Sequence, residues 1–311
     1  MATALQLPAR QRRSSPPERP TFRLTAAKRK TLELLAEYFC LRAYDAAKLL
    51  RNHEPDENDI RTARRTLHLL WKEGLLNRLP YIELDREHGS IAYVYGLSDK
   101  TARQYDGKTF DGHSARTLDH ELEISYFHIA IKQLCAIHGW QLHWQQVDLK
   151  TATIHPDAYF AITDPQQPEE RSTNHFFLEI ERSKFSKYQD GEPSVIRKLG
   201  KYYDLFDTRT CDKDWGFKQF RVIVVQRTDE RRANLCYALQ EKYRHRMFWL
   251  TTETLYKQNI GAEAFLTPKD YQSKAYGFLS IRENLVRLNQ SLEKAGTLIL
   301  SPASEQPLGS P

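Results

Sequence analysis

Apolar residues recur along this chain with two different periods, and the switches between those periods divide it into elements. Leu32, Leu34, Leu35, Tyr38 and Phe39 line one side of a helix. Thr25 stands ready to cap it, since a threonine ahead of the first turn accepts from a free backbone N–H. Tyr44–Leu50 repeats the helical period over a shorter stretch. After the polar turn Asn52–Asn58, Ile60, Ala63, Leu67, Leu70 and Trp71 share one face of a third helix, which Gly74 ends. Two β-rich runs, Leu76–Leu84 and Ile91–Leu97, flank Asp85–Ser90 as the strands and tip of a hairpin.

The helical period returns from Leu118 to His138, followed by strand-like runs at Trp140–Val147, Thr153–Ile162 and His175–Ile180. A helix from Ser194 to Phe206, the run Phe220–Val225, a helix from Glu230 to Tyr243 and the run Met247–Leu250 complete the series. Val222–Val225 is too uniformly apolar for a half-exposed strand and belongs in a sheet covered on both faces. The expected fold class is therefore α+β to α/β. Helix, helix, basic helix and hairpin make a winged helix-turn-helix, and the order αβββαβαβ makes a mixed sheet with helices on its faces. The boundaries expected are an arm at 1–22, the winged helix at 23–104, a linker at 105–117 and the α/β domain at 118–275. A C-terminal helix within 276–300 and a tail at 301–311 follow.

Charge sharpens this picture. The 311 residues carry a net charge of +6. Residues 1–30 hold eight Lys/Arg against Glu18 alone, so 8 − 1 = +7, and the remainder is +6 − 7 = −1. A Pro-punctuated basic arm on a near-neutral body suits a polyanion partner, and equally a plain solubilising tail. No window is apolar enough for a membrane span, and the N-terminus lacks the apolar core of a secretory signal. Cys40, Cys135, Cys211 and Cys236 are too scattered for a zinc knuckle and fit a reducing cytosol, so the expected location is cytoplasmic.

Two groups of residues could carry chemistry. On the third helix Arg61, Arg65, His68 and Lys72 fall on one face, distinct from the apolar one, with Arg64 beside them. Such a helix enters the major groove while the wing, with Arg86 at its tip, reaches the flanking backbone. Lys28, Arg29 and Lys30 extend the basic arm to the first helix. The alternative is a solvated face partly neutralised by Asp59 and Glu73. Further along, Asp157 follows Pro156, and Glu179 and Glu181 share a strand face opposite Leu178 and Ile180. If the strands pair in register, Asp157 and Glu179 converge as oxygen ligands suited to Mg²⁺ or Mn²⁺. His155 would share the face of Asp157, and His120 and Glu121 sit in the first turns of the preceding helix. The alternative is that these acids line the solvent side of an antiparallel sheet.

With these residues in view, the chain resembles the plasmid replication-relaxation family. The resemblance rests on Tyr93–Arg103, Leu118–Ile124, Pro156–Ile162, Phe177–Arg182 and Arg197–Tyr203, in order over about residues 24–250. It implies a DNA-binding winged helix joined to a domain similar to the PD-(D/E)XK nucleases. In that pattern Asp157 matches the first acid and Glu179 the second, while Glu181 stands where a lysine belongs. Lys198 is the first candidate to replace that lysine, with Lys184 and Lys201 next. Three readings stay open. One is a DNA-binding factor of a plasmid or other mobile element acting in replication or transfer, with duplex DNA, a second copy or replication and transfer proteins as partners. Another is a divalent-metal-dependent endonuclease or nickase. The last is a protein–protein adaptor.

Overall fold

The computed structural model describes residues 22–51, 53–81, 92–110, 115–145, 154–181, 195–243, 245–261, 263–270 and 277. The chain opens with helix α1 (Ala26–Tyr38), strand β1 (Cys40–Arg42), helices α2 (Ala43–Arg51) and α3 (Glu57–Lys72), and strands β2 (Leu76–Tyr81) and β3 (Ala92–Leu97). Thr25 caps α1 by accepting from the Lys28 N–H, and Asp56 caps α3 by accepting from the Asp59 N–H at 2.8 Å. At the other end of α3, Gly74 adopts φ +70° and donates to the Trp71 carbonyl, while Leu75 donates to that of Leu70. Those two bonds satisfy carbonyls that the helix end would otherwise strand. The strands pair antiparallel in the order β1-β3-β2, and Leu35, Ala46, Leu67 and Leu70 meet in the core beneath. This connectivity is that of a winged helix-turn-helix. The sequence pattern predicted every element of it except β1, whose three residues are too few to show alternation.

Helix α4 (Asp99–Tyr105) follows, and the segment expected as a linker contributes to the core. Phe110 is fully buried and donates its N–H to the Leu97 carbonyl at 2.9 Å. Its own carbonyl accepts from the Asn77 amide at 2.7 Å. Gly96 lies directly under it; a Cβ there would sit 2.3 Å from the Phe110 Cβ, so the close approach requires glycine.

Helix α5 (Ala115–His138) is buried along most of its length: from Leu118 to Cys135 only Lys132 is exposed. Leu118 and Leu122 pack with Phe39, Val94 and Phe110, and Ile129 joins the winged-helix core. Its other side, Ile124, Phe127, Ile131 and Leu134, packs on a second sheet. That sheet has the order β4 (Gln141–Gln145), β5 (Ala158–Thr163), β6 (Thr173–Glu181), β7 (Phe220–Gln226) and β8 (Phe248–Thr252). The first two pairings are antiparallel and the last two parallel. A short helix, α6 (Glu169–Ser172), lies between β5 and β6, and α7 (Val195–Asp207) and α8 (Thr210–Trp215) join β6 to β7. α9 (Asp229–Lys242) joins β7 to β8, and α10 (Glu253–Asn259) comes last. α5 and α10 cover the face of Phe176, Leu178, Ile180 and Ile223; α7, α8 and α9 cover that of Phe177, Val222 and Val224. The double cover is what the Val222–Val225 run predicted.

Several strand ends shift by one or two residues, and one boundary moves further. β5 begins at Ala158 and not at Thr153. Pro156 has no N–H to give a ladder, so pairing starts only after it, and the Asp157 N–H donates to the Leu178 carbonyl at 3.0 Å. The arm to residue 21, the hairpin tip Asp85–Ser90 with Arg86, Lys184, the C-terminal helix Ile281–Lys294 and the tail 301–311 lie outside the described residues. Among the described residues no helix is long and apolar enough to cross a membrane, and all four cysteines are buried thiols.

Truncating a fully buried phenylalanine that nothing can collapse to replace costs about 3–5 kcal/mol. Phe110→Ala should therefore lose that much by chemical denaturation. A loss below about 1 kcal/mol would show that the segment after α4 is a loose tether.

Candidate nucleic-acid interface and acid cluster

α3 presents Arg61, Arg64, Arg65 and Lys72 as exposed side chains opposite its buried Ala63, Leu67 and Leu70. Glu57 approaches Arg61 at 3.9 Å, with both side chains largely in solvent. Arg64, Arg65 and Lys72 have no carboxylate partner among the described residues. A surface pair of that length contributes almost nothing, so the positive potential of the face stands. His68 is not part of this exposed row. It is half-buried and turns toward the hairpin, where its Nδ1 lies 3.5 Å from the Arg78 guanidinium and its ring packs 5.4 Å from Trp71. On α1, Lys28 folds back to donate to the Arg23 carbonyl at 2.8 Å and covers the Phe22 ring, which leaves Arg29 and Lys30 exposed. Cations in the first turn of a helix work against its dipole and gain nothing locally.

The predicted acids meet at the carboxyl end of β6. Asp157 Oδ2 accepts from the Ile180 N–H at 2.6 Å and lies 3.1 Å from His120 Nε2, brought there by the first turns of α5. Glu121 stands 4.0 Å from His120 on its other side. Glu179 points to the face covered by α7 and is only 4 % exposed, which sets aside the solvent-facing sheet as its setting. Lys198 and Tyr202, one turn apart on α7, donate to its two carboxylate oxygens. Lys198 thus reaches Glu179 from the helix that follows the acidic strand. Glu181 ends β6 two residues on, and its charge also bears on Lys198. Lys201 is exposed on α7, and His155 is exposed in the loop before β5, off the strand that was to align it with Asp157. Tyr202 was not predicted; its i, i+4 spacing from Lys198 is the signal that could have found it.

Electrostatics tie these groups together. Burial, reinforced by the neighbouring Asp157 charge, pushes the Glu179 carboxyl up to about 8 against the pull of Lys198 and Tyr202. Burial also acts on Lys198, but Glu179 and Asp157 outweigh it and raise the ammonium's pKa. His120 is likewise raised: burial opposes its charge, and the bond to Asp157 more than offsets that. Burial and Glu179 push the Tyr202 phenol well up. The cluster is an ion network balanced by the protein's own cations. A divalent ion needs several converging oxygen or nitrogen donors. Among the described residues no group of three or more His, Cys, Asp or Glu is disposed to hold one. Both oxygens of Glu179 are engaged by Lys198 and Tyr202, and Asp157 Oδ2 by Ile180 and His120. As arranged, Lys198 and Tyr202 would have to release Glu179 before it could ligate Mg²⁺ or Mn²⁺.

The α3 face and the acid cluster fall inside the stretch, residues 32–219, that matches the family model described as replication-relaxation, more than half of the chain. The chain belongs to the replication-relaxation family. No curated protein and no solved structure matches it. Membership ties this replication-relaxation protein to plasmid replication or transfer.

A carboxyl kept protonated to higher pH in the fold than in the unfolded chain stabilises the fold at low pH. That contribution is complete below the unfolded value near 4.5 and is lost as pH rises through about 8. Glu179→Gln should therefore gain in stability relative to the parent as pH rises from 4.5 to 8, measured by denaturation at several pH values. A constant difference across that window would show that Glu179 ionises normally.

Proposed function

We propose that this replication-relaxation protein docks on duplex DNA in the cytoplasm, with α3 in the major groove and the β2–β3 hairpin as the wing. The exposed row Arg61, Arg64, Arg65 and Lys72, almost free of compensating acids, carries this reading. A helix of this width fits the major groove, and like charges one turn apart repel until a polyanion neutralises them. The basic segment Arg10–Lys30 adds sequence-independent attraction. The α/β half is then a nuclease-like body that engages replication or transfer proteins or a second copy of the chain. Duplex binding should weaken steeply with salt. Alanine at Arg61, Arg65 and Lys72 together should flatten that dependence by about one unit of log–log slope per lost phosphate contact. An unchanged slope in gel-shift titrations would remove α3 from the interface.

A second reading, cleavage of the DNA at the acid cluster, is favoured by Lys198 standing at Glu179 where Glu181 supplies no lysine. Lys198→Ala and Asp157→Ala would then abolish nicking of supercoiled plasmid while gel shifts persist. The assay is run in Mg²⁺, in Mn²⁺ and in chelator. Plasmid that is retarded but intact in every lane would mark the α/β half as a non-cleaving body.

A further inference from the structure

The α3 row is not the only cationic feature beside the hairpin. Arg78, on β2, lies with its guanidinium carbon 3.4 Å from the centre of the Trp71 ring and 4.3 Å from that of Tyr93. Trp71 comes from the last turn of α3 and Tyr93 from β3, diagonal to Arg78 across the strand pair. Two aromatic rings thus lie against the guanidinium. Its edge meets His68 Nδ1 at 3.5 Å and the phenol of Tyr95, the residue directly opposite on β3. Of the five N–H donors of an arginine, those contacts use two and leave about three. No carboxylate pairs with Arg78 among the described residues, although the side chain is half-buried. A partly desolvated cation without a counter-ion is costly, and aromatic faces return only part of that cost.

We infer that Arg78 is a preorganised DNA-reading residue, seated between α3 and the wing. It presents the free edge of its guanidinium to two acceptors in one plane. This rests on the docking reading above and goes beyond it. With two aromatic rings already against it, this guanidinium has little of its plane left to stack on a base. Only in-plane, fork-shaped acceptors fit: two oxygens of a backbone phosphate, or O6 and N7 of a guanine. The aromatic clamp removes most of the side-chain freedom that binding would otherwise have to quench. Tyr93, 37 % exposed, extends the platform outward along the hairpin. A lysine at position 78 would keep the charge and lose both the plane and the fork.

The test uses the full chain, a pool of randomised duplexes selected for binding to the parent protein, and the variants Arg78→Met and Arg78→Lys. Met retains the apolar stem between the rings, so a merely bracing role predicts unaltered DNA binding. The expected result is a melting temperature close to the parent's with affinity down about tenfold or more in both variants, the scale of one lost bidentate contact. If the acceptor is a phosphate, the salt slope falls by about one unit for every duplex alike. If it is a guanine, the slope holds and discrimination between selected and scrambled duplexes collapses. Variants that bind as tightly as the parent, with the same slope and discrimination, overturn the assignment of Arg78, even where alanine at Arg61, Arg65 and Lys72 weakens binding. A parent protein with no salt-sensitive duplex binding overturns the docking reading and this inference together.

Discussion

The structure depends on α5 being buried from both sides. An amphipathic helix leaves one face to water, whereas a helix apolar all round is stable only where neighbours cover it throughout. Here the winged-helix half supplies one cover, through Phe39, Val94 and Phe110, and the five-stranded sheet supplies the other, through Phe160, Phe176 and Leu178. The seam is also polar where it must be. Ser125 donates to the Tyr38 carbonyl at 2.6 Å, satisfying a group that the end of α1 leaves open, and Lys132 pairs with Glu37 at 2.5 Å near the surface. Glu123, buried inside the helix's sheet-facing half, accepts from the Tyr256 hydroxyl at 2.9 Å. With such a shared element the two halves have a fixed mutual setting, unlike domains joined by an open tether.

That constraint reaches the acid cluster. His120 lies in the first turns of the same α5, so the helix that holds the winged-helix half in place also delivers the imidazole to Asp157. α7 closes the other side with Lys198 and Tyr202. A carboxylate as buried as Glu179 would be strongly destabilising alone. An ammonium and a phenol on its two oxygens, together with a carboxyl that holds its proton up to about 8, make its burial tolerable. The β6 ladder locks the remaining member, since the Ile180 N–H holds Asp157 and the Asp157 N–H in turn holds Leu178. Neighbouring carboxyls have thereby been given different characters by environment, one enclosed and reluctant to ionise, the other partly open and hydrogen-bonded.

Much of this was legible in the residues. The period of 3.6 in Ile60–Trp71, the glycine at 74, the β-rich runs on either side of Asp85–Ser90 and the uniform Val222–Val225 each report a local physical cause, and the elements follow. Convergence of Asp157 with Glu179 was also readable, because adjacent strands and alternation leave few registers. The features that escaped are those set by distance in sequence. β1 is too short to have a period, and its pairing with β3 joins Leu41 to Tyr95 across more than fifty residues. The burial of Phe110 depends on the absence of a side chain at Gly96. His68 was grouped with the exposed arginines because helical spacing alone cannot show that Arg78 draws it to the hairpin. His155 was aligned with Asp157 on a strand that Pro156 prevents from forming.

The extent of the family match bears on what the second half of the sheet is for. It stops at residue 219, one residue before β7, yet every residue of the basic face and of the acid cluster precedes that point. β6 cannot stand as an edge. Its central residues Phe176, Phe177 and Leu178 are fully buried, and without β7 their backbone groups would be exposed on a long apolar margin prone to self-association. The parallel strands β7 and β8, with α9 and α10 over them, are therefore required as cover whatever their residues do chemically. They place Val224 beside Glu179 and Gln226 beside Glu181, so the acid cluster is bordered on that side by one apolar and one neutral polar group. No cation comes from β7 at those positions. The compensating charges arrive from helices instead, α5 and α7, and the ion balance of the cluster is consequently set by how those two helices pack.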